Sequence, residues 1–525
     1  MQPSSTARKT TVGFISLGCP KNLVDSEVMM GVLNHAGAQI TTNPANADIL
    51  VVNTCAFIES AKQESVDTIL EMAQHKISGR AKKLIVAGCL VERYRIEIMR
   101  NIPEVDAVVG TDELEQILAA AGIKPTPKIH EPSPFTILTS INVVAAATNF
   151  DGTLLPAPPS DVAASDVPTR AMSATQASLA ARPEGNLRET QGRFARADWD
   201  GAVADIPHYL YNDTTPRLRS TPSSSAYIKI AEGCDHPCTF CVIPNIRGKF
   251  RSRRFESVIA EAENLVAQGV MEITLIGQDT TCYGEDFGLR DGLALLLDRL
   301  ATIPGVRWLR FLYAYPNKVT TRLLETMARH DNICKYLDVP LQHASASVLK
   351  RMKRGANGDI FLRMIEKARL IVPGITLRTS FVVGFPGETE DDFNSLCNFV
   401  EAARFDWLGV FGYSDEEGAG AFNLAEKVPA RTIESRRKRL MKLQNAISLR
   451  GKENWVGQTF DLLVEGESKE TPLLWEGRAA MHAPQIDGTV YINDFGPHES
   501  LEPNIYYRCE ITEAHPYDVV GRIVS

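Results

Sequence analysis

The sequence predicts an α/β protein with three structured parts: an N-terminal parallel α/β sheet domain, a central parallel sheet curved into a partly open barrel, and a small C-terminal β-barrel. Three observations carry this prediction. Strand-like and helix-like runs alternate over residues 10–124, they alternate again over residues 220–450, and short segments punctuated by glycine fill residues 453–525. At 525 residues with 44% hydrophobic content, the chain is long enough to bury several cores.

In the N-terminal part, three similar strand-like phrases end in cysteine. The phrases are VGFISLGC, DILVVNTC and KLIVAGC, and they end at Cys19, Cys55 and Cys89. Helix-like sequence follows each phrase, which predicts a parallel sheet with crossover helices. Because the carboxyl ends of parallel strands lie at one edge, the three cysteines are predicted to converge there. The alternative for any one of them is an ordinary buried cysteine.

Residues 125–219 differ from both neighbouring parts. The stretch LLPAPPSDVAASDVPTRAMSATQASLAARPEG is rich in alanine, serine and proline and has few large apolar side chains. Such a composition cannot bury enough surface to offset the entropy of ordering the chain. It predicts a mostly disordered linker.

The central part contains six strand-like segments, AYIKIAE, EITLIGQD, WLRFLYAYP, YLDVPLQH, TLRTSFVVGF and WLGVFGYS, with amphipathic segments between them. Six such repeats predict a partial (β/α)6 barrel. Reactive groups in barrels of this kind lie at the carboxyl ends of the strands. The polar residues expected there are Gln278, Asp279, Gln342, His343, Arg378, Glu388, Ser414 and Asp415. Ordinary loop residues are the alternative for each.

A compact set of cysteines follows the first of these strands. Cys234, Cys238 and Cys241 have the spacing C-x3-C-x2-C. Zinc motifs usually pair two C-x2-C knuckles or add histidines, and here only His236 lies within the run. Iron–sulfur clusters are usually held by four thiolates, so three would leave one iron open to a reactant. The sequence thus contains two sets of three cysteines suited to such clusters.

The compartment expected from the sequence agrees with metal binding. The N-terminus MQPSSTARKT lacks an apolar signal segment, and no apolar run reaches membrane-spanning length. We therefore expect a cytoplasmic protein in a reducing environment, where clustered cysteines favour metal over disulfides. The remaining cysteines are interpreted as packing residues: Cys282, Cys334, Cys397 and Cys509.

The compact cysteine motif, with Phe240 before its last cysteine, resembles the signature of radical S-adenosylmethionine (SAM) enzymes. With GCPKNLVDSE, the three upstream cysteines, GFPGETEDDF and the C-terminal tail, the chain is similar to the methylthiotransferases over roughly residues 10–124 and 220–525. The resemblance implies two [4Fe-4S] clusters, one on each set of three cysteines, and SAM bound to the open iron of the compact set. It also implies a radical-SAM barrel in the centre and a TRAM-like module at the C-terminus.

Further residues are expected at these cofactors. The resemblance places Phe240 and Gly384 against SAM, and Gln278 and Gln342 are predicted to bind cofactor. The candidate catalytic residues are Asp279 and Arg378. An unactivated C–H bond has no acidic proton, so acid–base chemistry cannot break it usefully. The resemblance implies instead that a SAM-derived radical takes the hydrogen and that the dispersed cluster presents a methylated sulfur, while the protein supplies placement.

Two motifs and one charge pattern indicate the substrate. GQDTTCYG at 277–284 and PLQHAS at 340–345 resemble the branch that modifies an aspartate β-carbon in the twelfth protein of the small ribosomal subunit. The tRNA-modifying branch typically shows GQNVN-like and PVQSGS-like stretches instead. TRAM modules often bind RNA, but residues 455–525 hold twelve acidic and four basic residues. Few cations are thus available for phosphate, and an acidic module favours a basic protein.

The partners predicted are therefore a basic small-subunit ribosomal protein as substrate and a reductant protein as electron source, with no membrane. A tRNA substrate is the alternative, because basic runs such as IRGKFRSRR, LKRMKRG and SRRKRLMK occur outside the acidic tail. Solvated helix faces are the ordinary explanation for such runs.

We predict that anaerobically prepared protein contains two four-iron clusters, or about eight irons per chain. Iron and zinc analysis by mass spectrometry measures this directly. A zinc-containing protein, or an iron content near four, would contradict the presence of two clusters.

Overall fold

The computed structural model describes residues 8–124, 209–469, 471 and 473–525. Most of the predicted linker, residues 125–208, lies outside the described residues. The described segments of the ranges 1–125 and 192–525 belong to one compact unit. Among the helices described, none is long and apolar enough to cross a membrane.

The N-terminal part is a five-stranded parallel sheet covered by helices, as predicted. The strands are β1 (Thr11–Ser16), β2 (Gln39–Thr41), β3 (Ile49–Thr54), β4 (Lys83–Gly88) and β5 (Ala107–Val109). The helices are α1 (Pro20–His35), α2 (Glu59–Ile77), α3 (Cys89–Asn101) and α4 (Ile117–Ala121). The sheet order is β2-β1-β3-β4-β5. Every residue of the central strand β3 is buried, which explains its continuous apolar sequence.

The central part is a curved arrangement of parallel strands with one additional antiparallel pair of short strands. Its strands are β6 (Ser225–Lys229), β7 (Ala231–Glu232), β8 (Arg251–Ser252), β9 (Glu272–Ile276), β10 (Trp308–Phe311), β11 (Tyr336–Asp338), β12 (Thr376–Val383) and β13 (Trp407–Gly412). Its helices are α5 (Ile243–Arg247), α6 (Phe255–Ala267), α7 (Gly292–Ala301), α8 (Thr321–Arg329), α9 (Ala346–Arg351), α10 (Gly358–Ile371), α11 (Glu390–Ala403) and α12 (Ala430–Glu453).

Six of these strands form the predicted open barrel. Two parallel sheets, β10-β9-β6 and β11-β12-β13, are joined by one parallel bridge between Leu309 and Ile333. The six strands therefore follow one another in chain order around an arc with β6 and β13 at its ends. The two short strands β7 and β8 form a separate antiparallel pair. The prediction of a partly open (β/α)6 barrel is confirmed.

The C-terminal part is a small closed β-barrel, also as predicted. Its strands are β14 (Thr459–Glu467), β15 (Trp475–Ala479), β16 (Val490–Asp494), β17 (Tyr506–Ala514) and β18 (Val519–Ile523), in the closed order β14-β15-β16-β18-β17. Its core consists of alternating inward-facing residues from these strands.

The segment between β15 and β16, residues 480–487, closes the amino end of the central barrel, and we call it the plug. The Tyr227 hydroxyl donates to the Pro484 carbonyl oxygen (3.0 Å), and the Trp407 indole N–H donates to the Met481 carbonyl oxygen (2.8 Å). Trp407 is the first residue of β13, and Tyr227 is the middle residue of β6. The cysteines lie at the opposite, carboxyl end of the barrel.

Residues 209–221 form a strap over the N-terminal and central parts, although residues up to 219 were predicted as linker. Tyr211 is buried, and Arg217 pairs with Glu27 of α1 (2.6 Å) and Glu261 of α6 (2.6 Å). A Cβ on Gly31 would lie 2.4 Å from the carbonyl carbon of Pro216, so α1 needs a glycine there. Pairing with distant residues orders this segment, and local composition does not show it.

We expect Arg217→Met to destabilise the protein by about 3–5 kcal/mol, because it leaves the buried carboxylate of Glu27 without its cation, while Glu261 keeps its ion pair with Arg253. Urea unfolding monitored by tryptophan fluorescence measures the loss. The matched control is Arg299→Met, whose partner Glu263 is 50% exposed and whose loss should be below about 1 kcal/mol. Equal unfolding midpoints for the two variants would contradict a stabilising role for the strap.

Candidate active site

The structure brings the three dispersed cysteines together at one edge of the N-terminal sheet. Cys19, Cys55 and Cys89 follow the neighbouring strands β1, β3 and β4, whose ends lie within one residue of the same register: Ser16 pairs with Asn53, and Thr54 pairs with Gly88. All three cysteines line one cavity. We call them the dispersed triad.

Two glycines make this convergence possible. Gly18 and Gly88 precede Cys19 and Cys89, and both have left-handed backbone conformations, with φ of +86° and +91°. A Cβ on Gly18 would lie 2.8 Å from the Cβ of Cys55, and one on Gly88 would lie 2.2 Å from the Asn53 side-chain oxygen. Glycine is therefore required before Cys19 and Cys89, because the backbone there has a positive φ and a side chain would clash with its neighbours.

A buried polar network supports the dispersed triad. The Asn22 amide donates to the Thr54 carbonyl oxygen (2.8 Å), and its oxygen accepts from Arg247 (2.6 Å). The same guanidinium nitrogen lies 3.4 Å from the Sγ of Cys89, and the other terminal nitrogen donates to Asp25 (2.5 Å). Hydrogen bonds of this kind orient ligands and tune the metal that they hold.

The compact triad, Cys234, Cys238 and Cys241, occupies the loop between β7 and α5. The backbone N–H of Cys234 donates to the Gly248 carbonyl oxygen (3.1 Å), and that of Cys241 donates to the Cys238 carbonyl oxygen (3.2 Å). The Arg354 guanidinium lies 3.6 Å from the Sγ of Cys238. The loop is therefore folded back on itself with a cation beside its middle cysteine.

Both triads line the same cavity, which has a volume of about 1230 Å³. A cavity of this size accommodates a cofactor together with part of a larger substrate. The cavity is also lined by six other residues predicted from the sequence: Phe240, Gln278, Asp279, Gln342, Arg378 and Ser414.

The chemistry of both triads fits iron–sulfur clusters. Burial raises the pKa of Cys89 and of Cys241 to about 12, so these thiols stay protonated until a metal displaces the proton. Three sulfur ligands around one space, with cationic side chains behind them, suit a cluster that keeps one open position. The dispersed triad and the compact triad could each hold one such cluster.

Asp279 is a buried carboxylate whose oxygens already accept hydrogen bonds from neighbouring side chains. Burial alone would raise its pKa, but hydrogen bonds from His236 (2.6 Å), Thr281 (2.5 Å) and Cys282 (3.1 Å) lower the pKa below its usual value. The His236 ring also stacks on Tyr315 with 3.8 Å between centroids. Asp279 thus positions His236 at the cavity, and it is an anion rather than a proton donor.

Arg378 and Gln278 are also held by partners. Arg378 donates to Asp338 (2.7 Å) and lies 3.4 Å from Asp487 of the plug. The Gln278 amide nitrogen donates to Glu232 (2.6 Å), and its buried oxygen has no partner among the described residues. That oxygen is a free acceptor for a ligand in the cavity.

Gln342 has an unusual backbone, with φ of +74°. Its N–H donates to the Ser380 carbonyl oxygen (2.9 Å) and its own carbonyl oxygen accepts from Val382 (2.8 Å). This bridge to β12 holds the residue in the left-handed region, a conformation that concentrates at functional sites.

The structure does not place Gly384 at the cavity. Its N–H donates to the Glu388 carboxylate (2.5 Å), and a Cβ there would lie 2.3 Å from the Ile433 side chain of α12. The glycine is required for packing against that helix, and its contact with SAM stays a prediction. The residues that follow begin a helix, since Thr389 and Asp392 form a reciprocal cap at the start of α11.

The other strand-end residues divide into two groups. Ser414 lines the cavity, whereas His343, Glu388 and Asp415 do not. His343 is fully buried, and burial lowers its pKa to about 3. Burial raises the pKa of Glu388 to about 7, and Asp415 pairs with Lys427 (2.6 Å).

Several cavity residues were not predicted from the sequence, among them Lys21, Tyr313, Tyr315 and Arg354. The Lys21 ammonium lies 3.4 Å from the centroid of the Tyr313 ring. Lys21 stands two residues after Cys19, and both tyrosines end the strand phrase WLRFLYAYP. Proximity to Cys19 and to the end of a strand are the sequence features from which these cavity residues could have been predicted.

Comparison with known families agrees with this architecture. Residues 11–110 match the uncharacterized protein family UPF0004, residues 228–400 match the radical SAM superfamily, and residues 456–524 match the TRAM domain. The fold and the site therefore define a radical SAM enzyme with a second three-cysteine site, which uses SAM and iron–sulfur clusters.

Curated relatives narrow this class to one family. The chain is 64% identical to "Ribosomal protein uS12 methylthiotransferase RimO" of Koribacter versatilis, over 100% of this chain and 98% of that protein. It is 53% identical to the protein of the same name from Solibacter usitatus, over 98% and 95% of the two chains. The chain belongs to the RimO family of ribosomal protein uS12 methylthiotransferases.

A solved structure with a distant likeness is the radical SAM methyltransferase TsrM from Kitasatospora setae. The identity is 14%, the TM-score is 0.46, and the match covers 77% of this chain and 73% of that one. A similarity this distant has no bearing on the function.

We predict that Gly88→Ala removes the cluster of the dispersed triad and leaves that of the compact triad. The new methyl group would meet the Asn53 side chain and shift Cys89, so the iron content should fall to about four per chain. Iron analysis and electron paramagnetic resonance of the reduced protein measure the change.

The matched control is Gly269→Ala. Gly269 has a similar φ of +92°, but a Cβ there would have no heavy atom within 4 Å. It should therefore carry the same backbone strain with full iron content. Equal iron contents in the two variants would show that crowding behind Cys89 does not control cluster binding.

Proposed function

We propose that this enzyme methylthiolates the β-carbon of an aspartate in ribosomal protein uS12. The observation that carries the proposal is that two cysteine triads line one cavity. A reaction that needs a radical at one cluster and sulfur at another requires both clusters to reach the same substrate carbon. The printed names of the relatives support uS12 as the substrate.

The bound cofactors would supply a carbon-centred radical and a sulfur donor, and the protein contributes binding and position. The two triads hold the clusters, and Phe240 and Gln278 are the side chains offered to SAM. Phe57 and Phe411 also line the cavity and are 39% and 50% exposed. They would form an apolar rim through which a polypeptide segment reaches the clusters.

The charge of the C-terminal barrel supports a basic partner. Its surplus of acidic residues would attract a basic ribosomal protein and repel nucleic acid. We also propose a cytoplasmic location, where ribosomal proteins are available, and a reductant protein that supplies single electrons.

The structure weighs against the tRNA alternative because several arginines of the basic runs form ion pairs within the protein. In IRGKFRSRR, Arg247 and Arg253 are buried and pair with carboxylates inside the protein. In SRRKRLMK, Arg436 pairs with Glu388 (3.0 Å) and Arg439 with Glu390 (2.7 Å). Arg247, Arg253 and Arg436 are thus neutralised inside the protein and are not available for phosphate contacts, whereas Arg439 and Glu390 form a half-exposed pair.

The test uses cells that lack the gene and receive it back on a plasmid. We expect wild-type protein to restore a methylthio group on one aspartate of uS12, detected by peptide mass spectrometry. Cys19→Ala and Cys234→Ala should each abolish the modification, because each removes one cluster ligand.

Cys397→Ala is the matched control, since Cys397 lies on α11 outside the cavity. It should restore the modification fully. The same cells provide tRNA for nucleoside analysis. Restored methylthioadenosine in tRNA with unmodified uS12 would replace this proposal with the tRNA reaction.

A further inference from the structure

The cations that line the cavity differ in whether a carboxylate neutralises them. The cavity is lined by one lysine and four arginines: Lys21, Arg247, Arg354, Arg378 and Arg437. An anionic group of a ligand would bind to a cation that has no carboxylate of its own, because a buried unpaired charge is costly.

Three of the five cations are already paired. Arg247 donates to Asp25 (2.5 Å), Arg378 donates to Asp338 (2.7 Å), and Arg437 is bidentate to Glu434 (2.8 Å). These side chains are neutralised within the protein. They have little remaining capacity for the charge of a substrate.

Arg354 lies beside the compact triad. It lies 3.6 Å from the Sγ of Cys238, donates to the Pro340 carbonyl oxygen (2.5 Å) and stacks over Tyr315 at 4.4 Å. Its position is therefore beside the cluster that binds SAM.

Lys21 differs from the three paired arginines in having no carboxylate partner, and from Arg354 in lying two residues after Cys19 of the dispersed triad. It is only 8% exposed, and none of the described carboxylates forms an ion pair with it. Its ammonium group rests on the face of Tyr313, 3.4 Å from the ring centroid. A cation over a ring is stabilised in part, but its charge is not neutralised.

The Tyr313 ring on which Lys21 rests belongs to a residue with a strained backbone. Tyr313 has φ of +63°, which is unfavourable for an aromatic residue. Its N–H donates to Asp338 (3.0 Å), the carboxylate that also holds Arg378. Strain maintained by a buried carboxylate is typical of functional positions.

We propose that Lys21 binds the carboxylate of the substrate aspartate. This inference rests on the proposed function. In aspartate the carboxylate is attached directly to the β-carbon, so fixing the carboxylate fixes the reacting atom. Because Lys21 follows Cys19 by two residues, a carboxylate on its ammonium group lies on the side of the dispersed triad, from which sulfur is delivered. Lys21 thus selects an aspartate and orients its β-carbon.

The test is a binding cycle with reconstituted holoenzyme under anaerobic conditions. Wild type, Lys21→Met and Lys21→Arg are each titrated with two forms of uS12 from cells that lack the enzyme. One form is natural, and the other carries asparagine at the aspartate that wild-type enzyme modifies. Fluorescence anisotropy of labelled uS12 gives the dissociation constants.

We expect Lys21→Met to weaken binding of natural uS12 by about tenfold or more, the loss of one charge-assisted hydrogen bond. The asparagine form should bind wild type and Lys21→Met equally, since the two changes remove the same interaction. Lys21→Arg should recover part of the affinity. Iron content and SAM cleavage in the absence of uS12 should not change.

Lys76→Met is the control for removal of a lysine from the same part of the chain. Lys76 pairs with Asp106 (2.6 Å) away from the cavity, and its loss should leave uS12 binding unchanged. An equal loss on both forms of uS12, or weakened SAM cleavage without uS12, would overturn the role of Lys21 alone. If wild-type enzyme leaves uS12 unmodified in the same preparation, the proposed function fails, and this inference fails with it.

Discussion

The shared cavity depends on one buried group of charges between the N-terminal and central parts. Arg247 and Lys229 come from the central part, and both pair with Asp25 of α1 at 2.5 Å. Lys229 also pairs with Glu232, which holds Gln278 (2.6 Å). Removing one partner from such a group leaves an uncompensated buried charge, at a cost of about 3–5 kcal/mol. Because the ion pairs that the structure describes for the buried Asp25 are both with cations of the central part, this group holds the two cysteine triads at one cavity.

The architecture and both triads could be predicted from the sequence because their signals are local. A strand phrase that ends in cysteine places the thiol at a sheet edge, and three such phrases suffice to specify a site. The roles of Lys21 and Tyr313 were not visible in the same way. Their pairing depends on a contact between α1 and the end of β10, which are almost three hundred residues apart in the sequence. No periodicity or spacing records such a contact.

The differences from the sequence prediction have a common cause in tertiary packing. A glycine in a turn can serve a ligand or a neighbouring helix, and at Gly384 the neighbour is Ile433 of α12. Similarly, an arginine in a basic run can face solvent or a buried carboxylate, and Arg253 faces Glu261. The strap is a third case, because Tyr211 is buried although the stretch before it has the composition of a linker. Residue type alone does not distinguish these environments.

The plug changes how the C-terminal barrel should be regarded. Arg478, at the end of β15, pairs with the buried Glu272 of β9 (2.7 Å), and Asp487 accepts from the Tyr336 hydroxyl (2.6 Å). Glu272 also pairs with Arg310 of β10 (3.1 Å), but Arg478 and Asp487 become available to the central barrel only when the C-terminal part has been synthesised. During translation, a chain synthesised only as far as α12 lacks the plug that closes the amino end of the central barrel. Folding of the central barrel is therefore completed only after the C-terminal barrel has been synthesised. The module therefore cannot be exchanged between relatives as an independent appendage, because it is part of the chamber that it closes.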